Sequence, residues 1–215
     1  MVDRSIALLR SPGNAHQAGE LARSLGGVPL TDIPMPGGLL GDGEDPETAS
    51  ELDRTLLELL RPVHAGVVVY SRAYGAFSQR SRDRLSRLTG RPVVSAPGAV
   101  LAELAQLRAH HLSVVTPYDA DRHAYEIGWL RANGFEIEGA INLGGVLGPD
   151  LAQTTAEQLL EGFRQVSHGD ALYVACTMLP LAAVTKLRDA VDTPVVSATE
   201  ALTNQAAAAL GAGRQ

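Results

Sequence analysis

Asp170-Ala171-Leu172-Tyr173-Val174-Ala175-Cys176-Thr177-Met178-Leu179-Pro180 is the stretch that decides the fold. It opens with an apolar run of strand length, and an amphipathic pattern follows from Leu179 to Val191. An unbroken apolar strand running into a helix is how a parallel sheet covered on both faces reads in sequence. The spacing therefore predicts a buried strand, a tight turn and a helix, with Cys176 at the strand's carboxyl end. Ligands of open α/β sheets bind along that rim. A thiol ahead of a helix N-terminus is also expected to titrate below the free value of about 8.5, because the helix end favours negative charge. The competing reading is that Cys176 packs in the core, as free cysteines commonly do.

Working outward, the same unit recurs along the chain. Ser5 to Leu9 reads as a strand, Arg10 to Asn14 as a loop and Ala15 to Leu25 as a helix, with Ser11 or Asn14 available as its cap. Val28 to Ile33 is a short strand. Pro34 to Asp45 is too rich in glycine and proline for a regular element and suits a surface loop or lid. Pro46 to Leu60 reads as a helix capped by Asp45. Val67 to Tyr70 is a second buried strand, followed by Ser71 to Phe77 and a helix from Ser78 to Leu88. Arg80, Arg82, Arg84 and Arg87 scatter around that helix, a pattern expected of solvated side chains. Further strands are expected at 92–96, 112–115 and 135–143, and helices at 99–108, 120–132 and 154–166, with a glycine-rich loop over 144–150.

Pro92-Val93-Val94-Ser95-Ala96 returns 102 residues later as Pro194-Val195-Val196-Ser197-Ala198. Each copy follows a strand–turn–helix and precedes an alanine-rich helix. A duplicated unit accounts for this. The expected fold is α/β: two pseudo-symmetric flavodoxin-like, or Rossmann-like, halves with mainly parallel sheets and an active site in the cleft between them. The first half takes 1–96 with the C-terminal helix at 199–215, and the second takes 97–198.

The 215 residues are 45% apolar, enough for a substantial core. A net charge of −6 and an isoelectric point near 5.5 argue against general affinity for nucleic acid or anionic membrane. No apolar run has the length of a membrane span and no signal peptide opens the chain, so a cytoplasmic protein is expected. The single cysteine excludes an internal disulfide. The single lysine, Lys186, falls inside a helical pattern, which disfavours Schiff-base chemistry. Asp119, Asp121 and His123 could be written as a metal cluster, but acids are also favoured in a first helical turn. The adjacent His110 and His111 lack the spacing of paired ligands and read as surface residues. Ser95 and Ser197 have no histidine–acid pattern beside them. Neither a G-x-G-x-x-G nor a Gly-Lys phosphate loop is present.

With these residues placed, the chain resembles the aspartate/glutamate racemase superfamily, in the branch of maleate cis–trans isomerase and arylmalonate decarboxylase. The resemblance rests on Ser11-Pro12-Gly13-Asn14, Val115-Thr116-Pro117-Tyr118, Gly134-Phe135-Glu136, the stretch from Asp170 to Thr177 and Thr193-Pro194-Val195-Val196-Ser197. It implies a lyase or isomerase without metal or organic cofactor that acts on a small carboxylate. Cys176 matches the family's second-half cysteine, Asn14 an asparagine that touches substrate, and Tyr118 a tyrosine that binds a carboxylate. The Thr177 and Met178 backbone and Ser11 complete the implied carboxylate site.

The family's first-half cysteine has no counterpart. Alignment on Gly75 and Phe77 puts Arg72 in its place; counting from the strand puts Ser71 there. Ala73 and Tyr74 replace the small hydroxyl residues that usually follow it. An arginine at that point offers a bidentate carboxylate clamp. One thiol suits decarboxylation or single-face proton transfer better than racemisation. Two other readings compete: a carboxylate-binding protein that has lost turnover, and a covalent thiol enzyme, a hydrolase or cyclase. A homodimer is the assembly kept in view.

Overall fold

The structure, a computed structural model, describes residues 3–36, 46–72, 79–145 and 149–212. Tyr74 and most of the glycine-rich stretch before Pro46 lie outside the described residues. In chain order the elements begin with β1 (Ile6–Arg10), α1 (Ala15–Ser24), β2 (Leu30–Pro34), α2 (Pro46–Leu60), β3 (Val67–Tyr70), α3 (Gln79–Thr89), β4 (Val93–Ser95) and α4 (Ala96–Leu107). They continue with β5 (His111–Thr116), α5 (Ala120–Ala132), β6 (Glu136–Asn142), α6 (Pro149–Ala152), α7 (Ala156–Arg164), β7 (Ala171–Val174), α8 (Leu181–Asp189), β8 (Val195–Ser197) and α9 (Ala198–Ala212).

Two compact units result, one of Met1–Ala99 with Leu202–Gln215 and one of Val100–Ala201. Each holds a four-stranded, wholly parallel sheet. The orders are β2-β1-β3-β4 and β6-β5-β7-β8, the same arrangement twice. The α/β class with parallel sheets is thus the fold of the chain.

In the first unit, successive residues of β1 serve opposite faces. Ala7 and Leu9 pack with Leu52, Leu56 and Leu60 of α2 and Leu85 of α3. Ile6 and Leu8 pack with Leu21 of α1 and with Leu202, Ala206 and Leu210 of α9. That two-sided burial explains why β1 and β3 read as continuous apolar runs rather than as alternating strands. Each fully buried Leu or Ile contributes about 1.5–3 kcal/mol relative to exposure.

Some boundaries differ from expectation for local reasons. The expected helix from Thr154 begins only at Ala156, because Thr155 and Gln158 form a reciprocal capping box. Pro149–Ala152 forms a separate turn of helix inside what reads as loop. α4 starts directly after β4 and takes Pro97 and Gly98 into its first turn, where proline loses no helical hydrogen bond. Among the α3 arginines, Arg84 is not simply solvated: its guanidinium makes a two-point ion pair with Asp53 of α2. Among the described residues, no helix is long and apolar enough to cross a membrane.

A glycine close to the β5 rim is set by contact. A Cβ on Gly145 would lie 2.2 Å from the Pro117 carbonyl oxygen and 2.8 Å from a Leu151 methyl. Gly145→Ala is therefore expected to destabilise the second unit by about 1–3 kcal/mol, the usual cost of overpacking. A chemical denaturation midpoint equal to that of the parent would refute the close approach.

Candidate active site

In both sheets the chain order reverses direction between the two central strands, β1 and β3 in the first, β5 and β7 in the second. At such a switch point the loops leaving the carboxyl ends diverge to opposite faces and open a crevice for ligand. The residues singled out from the sequence stand at these ends. Ser11 and Asn14 follow β1, and Ser71 and Arg72 follow β3 in the first unit; Tyr118 follows β5, and Cys176, Thr177 and Met178 follow β7 in the second.

In the second unit these residues meet. Cys176 is 4% exposed and has φ 85°, a left-handed backbone that few residues other than glycine adopt. The turn points its sulfur back at the chain, where Sγ accepts from the Met178 N–H at 3.3 Å and from the Leu179 N–H. The Tyr118 hydroxyl also donates to the thiol. Thr199, buried at the start of α9, fixes the turn from behind: its hydroxyl lies 3.2 Å from the carbonyl oxygens of both Cys176 and Leu179.

The expected acidity of the thiol is overturned. Burial pushes Cys176 up to about 11, against the lowering pull of the Met178, Tyr118 and Leu179 donors. The physical reason is twofold. Desolvation penalises the charged form. The helix is also too far along: α8 begins at Leu181, and a helix end acts mainly within its own first turn. At neutral pH Cys176 is a thiol, not a thiolate.

Behind the thiol lies a polar layer that the sequence did not reveal. Glu126 of α5 is 2% exposed, beside the buried Ile127 and Leu130, and accepts a hydrogen bond from the Tyr173 hydroxyl at 2.6 Å. Burial raises Glu126 to about 7, and the bond from Tyr173 opposes that rise. A carboxylate within the apolar stripe of a helix was the available signal.

In the first unit, Arg10 closes β1 with a two-point ion pair to Asp32 of β2, at 2.6 and 2.8 Å. Its other terminal nitrogen donates to the carbonyls of Ser11 and Pro12, at 3.1 and 3.2 Å, and so pins the Ser11–Asn14 turn. Asn14 is wholly buried at the start of α1 but does not cap it; its side-chain amide donates to Gln17 Oε1 at 2.7 Å. Ser11 reaches the same turn by its backbone, accepting from the Asn14 N–H at 3.0 Å. Ser71 and Arg72 are buried, Ser71 donating its N–H to the Leu9 carbonyl on the neighbouring strand.

The other constellations have structural uses. Asp119 caps α5 through the Arg122 N–H and pairs with the Arg122 guanidinium. His123 turns to the Thr116 hydroxyl at 2.9 Å, and burial lowers its pKa, which keeps it neutral. Asp170 accepts from the backbone N–H groups of both His110 and His111. His111 in turn contacts Glu138 at 2.7 Å and Glu136 at 3.4 Å.

Comparison with known proteins gives consistent neighbours. The family model described as arylmalonate decarboxylase matches residues 69–215. Maleate isomerase of Geobacillus stearothermophilus is 27% identical over 166 residues, 73% of this chain and 65% of that protein, so the match spans just under two thirds of that relative's length. Among solved structures, maleate cis–trans isomerase of Nocardia farcinica superposes with a TM-score of 0.78 at 22% identity, covering 97% of this chain and 92% of that one. Unliganded arylmalonate decarboxylase superposes with a TM-score of 0.75 at 19% identity, covering 98% and 94%.

Proposed function

The chain belongs to the arylmalonate decarboxylase family, and on that premise we propose a cofactor-independent isomerase or decarboxylase that acts on a small carboxylate, with Cys176 as proton donor. The observation that carries the reading is the placement of the thiol: Cys176 lies buried at the switch point of a parallel sheet, faced by one phenol and two backbone amides, and burial favours its protonated form. A group that must give a proton to carbon has to hold that proton beforehand.

In the decarboxylation, the bond from the α-carbon to one carboxylate breaks and carbon dioxide leaves. The electron pair remains as an enediolate on the retained carboxylate. The Cys176 proton then passes to the α-carbon, leaving a thiolate that solvent reprotonates. The Tyr118 hydroxyl and the Met178 and Leu179 amides favour the thiolate, so they act as the charge develops, where preorganised donors help most. Thr177 and the Met178 backbone are assigned carboxylate contacts by the family resemblance. Asn14, Ser11, Ser71, Arg72 and Tyr74 carry the same assignment from sequence, with Arg72 as the anchor for an anionic group.

A covalent thiol enzyme is the less favoured reading, since a nucleophilic cysteine needs a lowered pKa and this one is raised. The test is incubation with a panel of aryl- and alkylmalonates and maleate in heavy water, followed by NMR and carbon dioxide release. One deuteron at the α-carbon for each carbon dioxide lost is the result expected of a decarboxylase, and fumarate from maleate that of an isomerase. Binding of these acids by calorimetry with no turnover of any would replace the enzyme by a carboxylate-binding protein.

A further inference from the structure

We propose that Glu126 is a positioning residue for Cys176: from α5 it anchors the Tyr173 hydroxyl, and across the buried layer it shares with Tyr173 and Tyr118 it sets how firmly the thiol holds its proton. The inference rests on the reading of Cys176 as the proton donor.

All four side chains are buried in the second unit. Glu126 is 2% exposed, Tyr173 1%, Tyr118 2% and Cys176 4%. Tyr173 sits on β7 directly ahead of the Cys176 turn, and its hydroxyl is 2.6 Å from Glu126 Oε1. Tyr118 leaves the adjacent strand β5 and bonds to the thiol. A carboxylate in such a place is costly, and a leucine would fill the position with apolar atoms at no desolvation cost. Its charge acts on the neighbours instead: ionised Glu126 raises Tyr118, Tyr173 and Cys176 alike. A negative Glu126 thus keeps the proton on sulfur, and a neutral Glu126 relaxes that hold.

Around Glu126, β7 presents Tyr173, the end of β5 presents Tyr118, and the turn after β7 presents Cys176. On its own helix, His123 is held neutral against Thr116. β6 also packs on α5, but its Glu136 and Glu138 are exposed and occupied with His111.

The chain's single cysteine makes the test direct, because isotope-labelled cysteine gives one β-carbon resonance to follow by NMR against pH. The parent should show a small inflection near 7, from Glu126, well below the main thiol titration near 11. Glu126→Gln keeps the shape and a hydrogen-bond acceptor while removing the charge. It should erase the inflection and lower the thiol midpoint by on the order of one pH unit. Tyr173→Phe removes the bond that opposes the rise of Glu126, so the inflection should persist and move upward. A folded Glu126→Gln protein with the parent's titration curve overturns the proposal. If that variant does not fold, an unmoved inflection in Tyr173→Phe overturns it equally. Turnover is not read in this experiment, so a failed titration leaves the proton-donor reading standing, and an active Cys176→Ala protein would end that reading without touching the measured coupling.

Discussion

Cys176→Ala is expected to abolish turnover, with kcat falling by roughly a hundredfold to ten-thousandfold, the range that a positioned proton donor contributes. Substrate affinity should change little, because the thiol acts on carbon while other groups hold the carboxylates. The protein should also remain folded. Alanine removes one buried sulfur, while the turn is held by Thr199 through the Cys176 and Leu179 carbonyl oxygens, which the substitution leaves in place. The left-handed φ at this position tolerates alanine no better than cysteine, so no new backbone strain is added. Calorimetry with a slowly turned-over malonate, next to a steady-state assay, separates the two effects. Full turnover in the Cys176→Ala protein would end the cysteine mechanism.

Arg72→Ala should act in the opposite way, raising KM roughly tenfold to a hundredfold with a smaller change in kcat. A hydrogen bond to a charged group contributes about 1.5–3 kcal/mol, and an arginine can make two to one carboxylate. Arg72 is 8% exposed at the carboxyl end of β3, the rim where ligands of such sheets bind. Arg72→Lys retains charge without the planar fork and should recover only part of the affinity. Substrates with one carboxylate should lose less than those with two. Unchanged KM for a dicarboxylate in Arg72→Ala would leave the arginine as a packing residue of the first unit.

Much of the architecture was legible without coordinates. Val67 to Tyr70 and Ala171 to Val174 are continuous apolar runs because each sheet is covered on both faces, and that two-sided burial writes itself directly into composition. The Pro92 and Pro194 copies fall at β4 and β8, the corresponding edge strands of two sheets with the same strand order. Family resemblance put Tyr118 and Cys176 in one carboxylate site, but their hydrogen bond to each other was not foreseen, because periodicity places both at strand ends and says nothing of contact. Tyr74 lies outside the described residues. Helix starts were less legible where a local cap competes, as at Thr155.

By itself, then, the sequence determined the elements, their parallel α/β arrangement and the family, because hydrophobic periodicity and turn chemistry are local properties of the chain. Tertiary structure alone decided the protonation of the site. Cys176 sits ahead of a helix in sequence, which argues for an acidic thiol, yet the folded chain buries it until desolvation outweighs three hydrogen-bond donors and pushes it up to about 11. Glu126 reads as an ordinary helical glutamate until α5 turns it inward onto Tyr173. Arg10 finds Asp32, and Thr199 finds the Cys176 carbonyl, only when chain segments distant in sequence are folded together. Dielectric environment and partner distance depend on which distant residues share a volume, and that information exists only once the chain is packed.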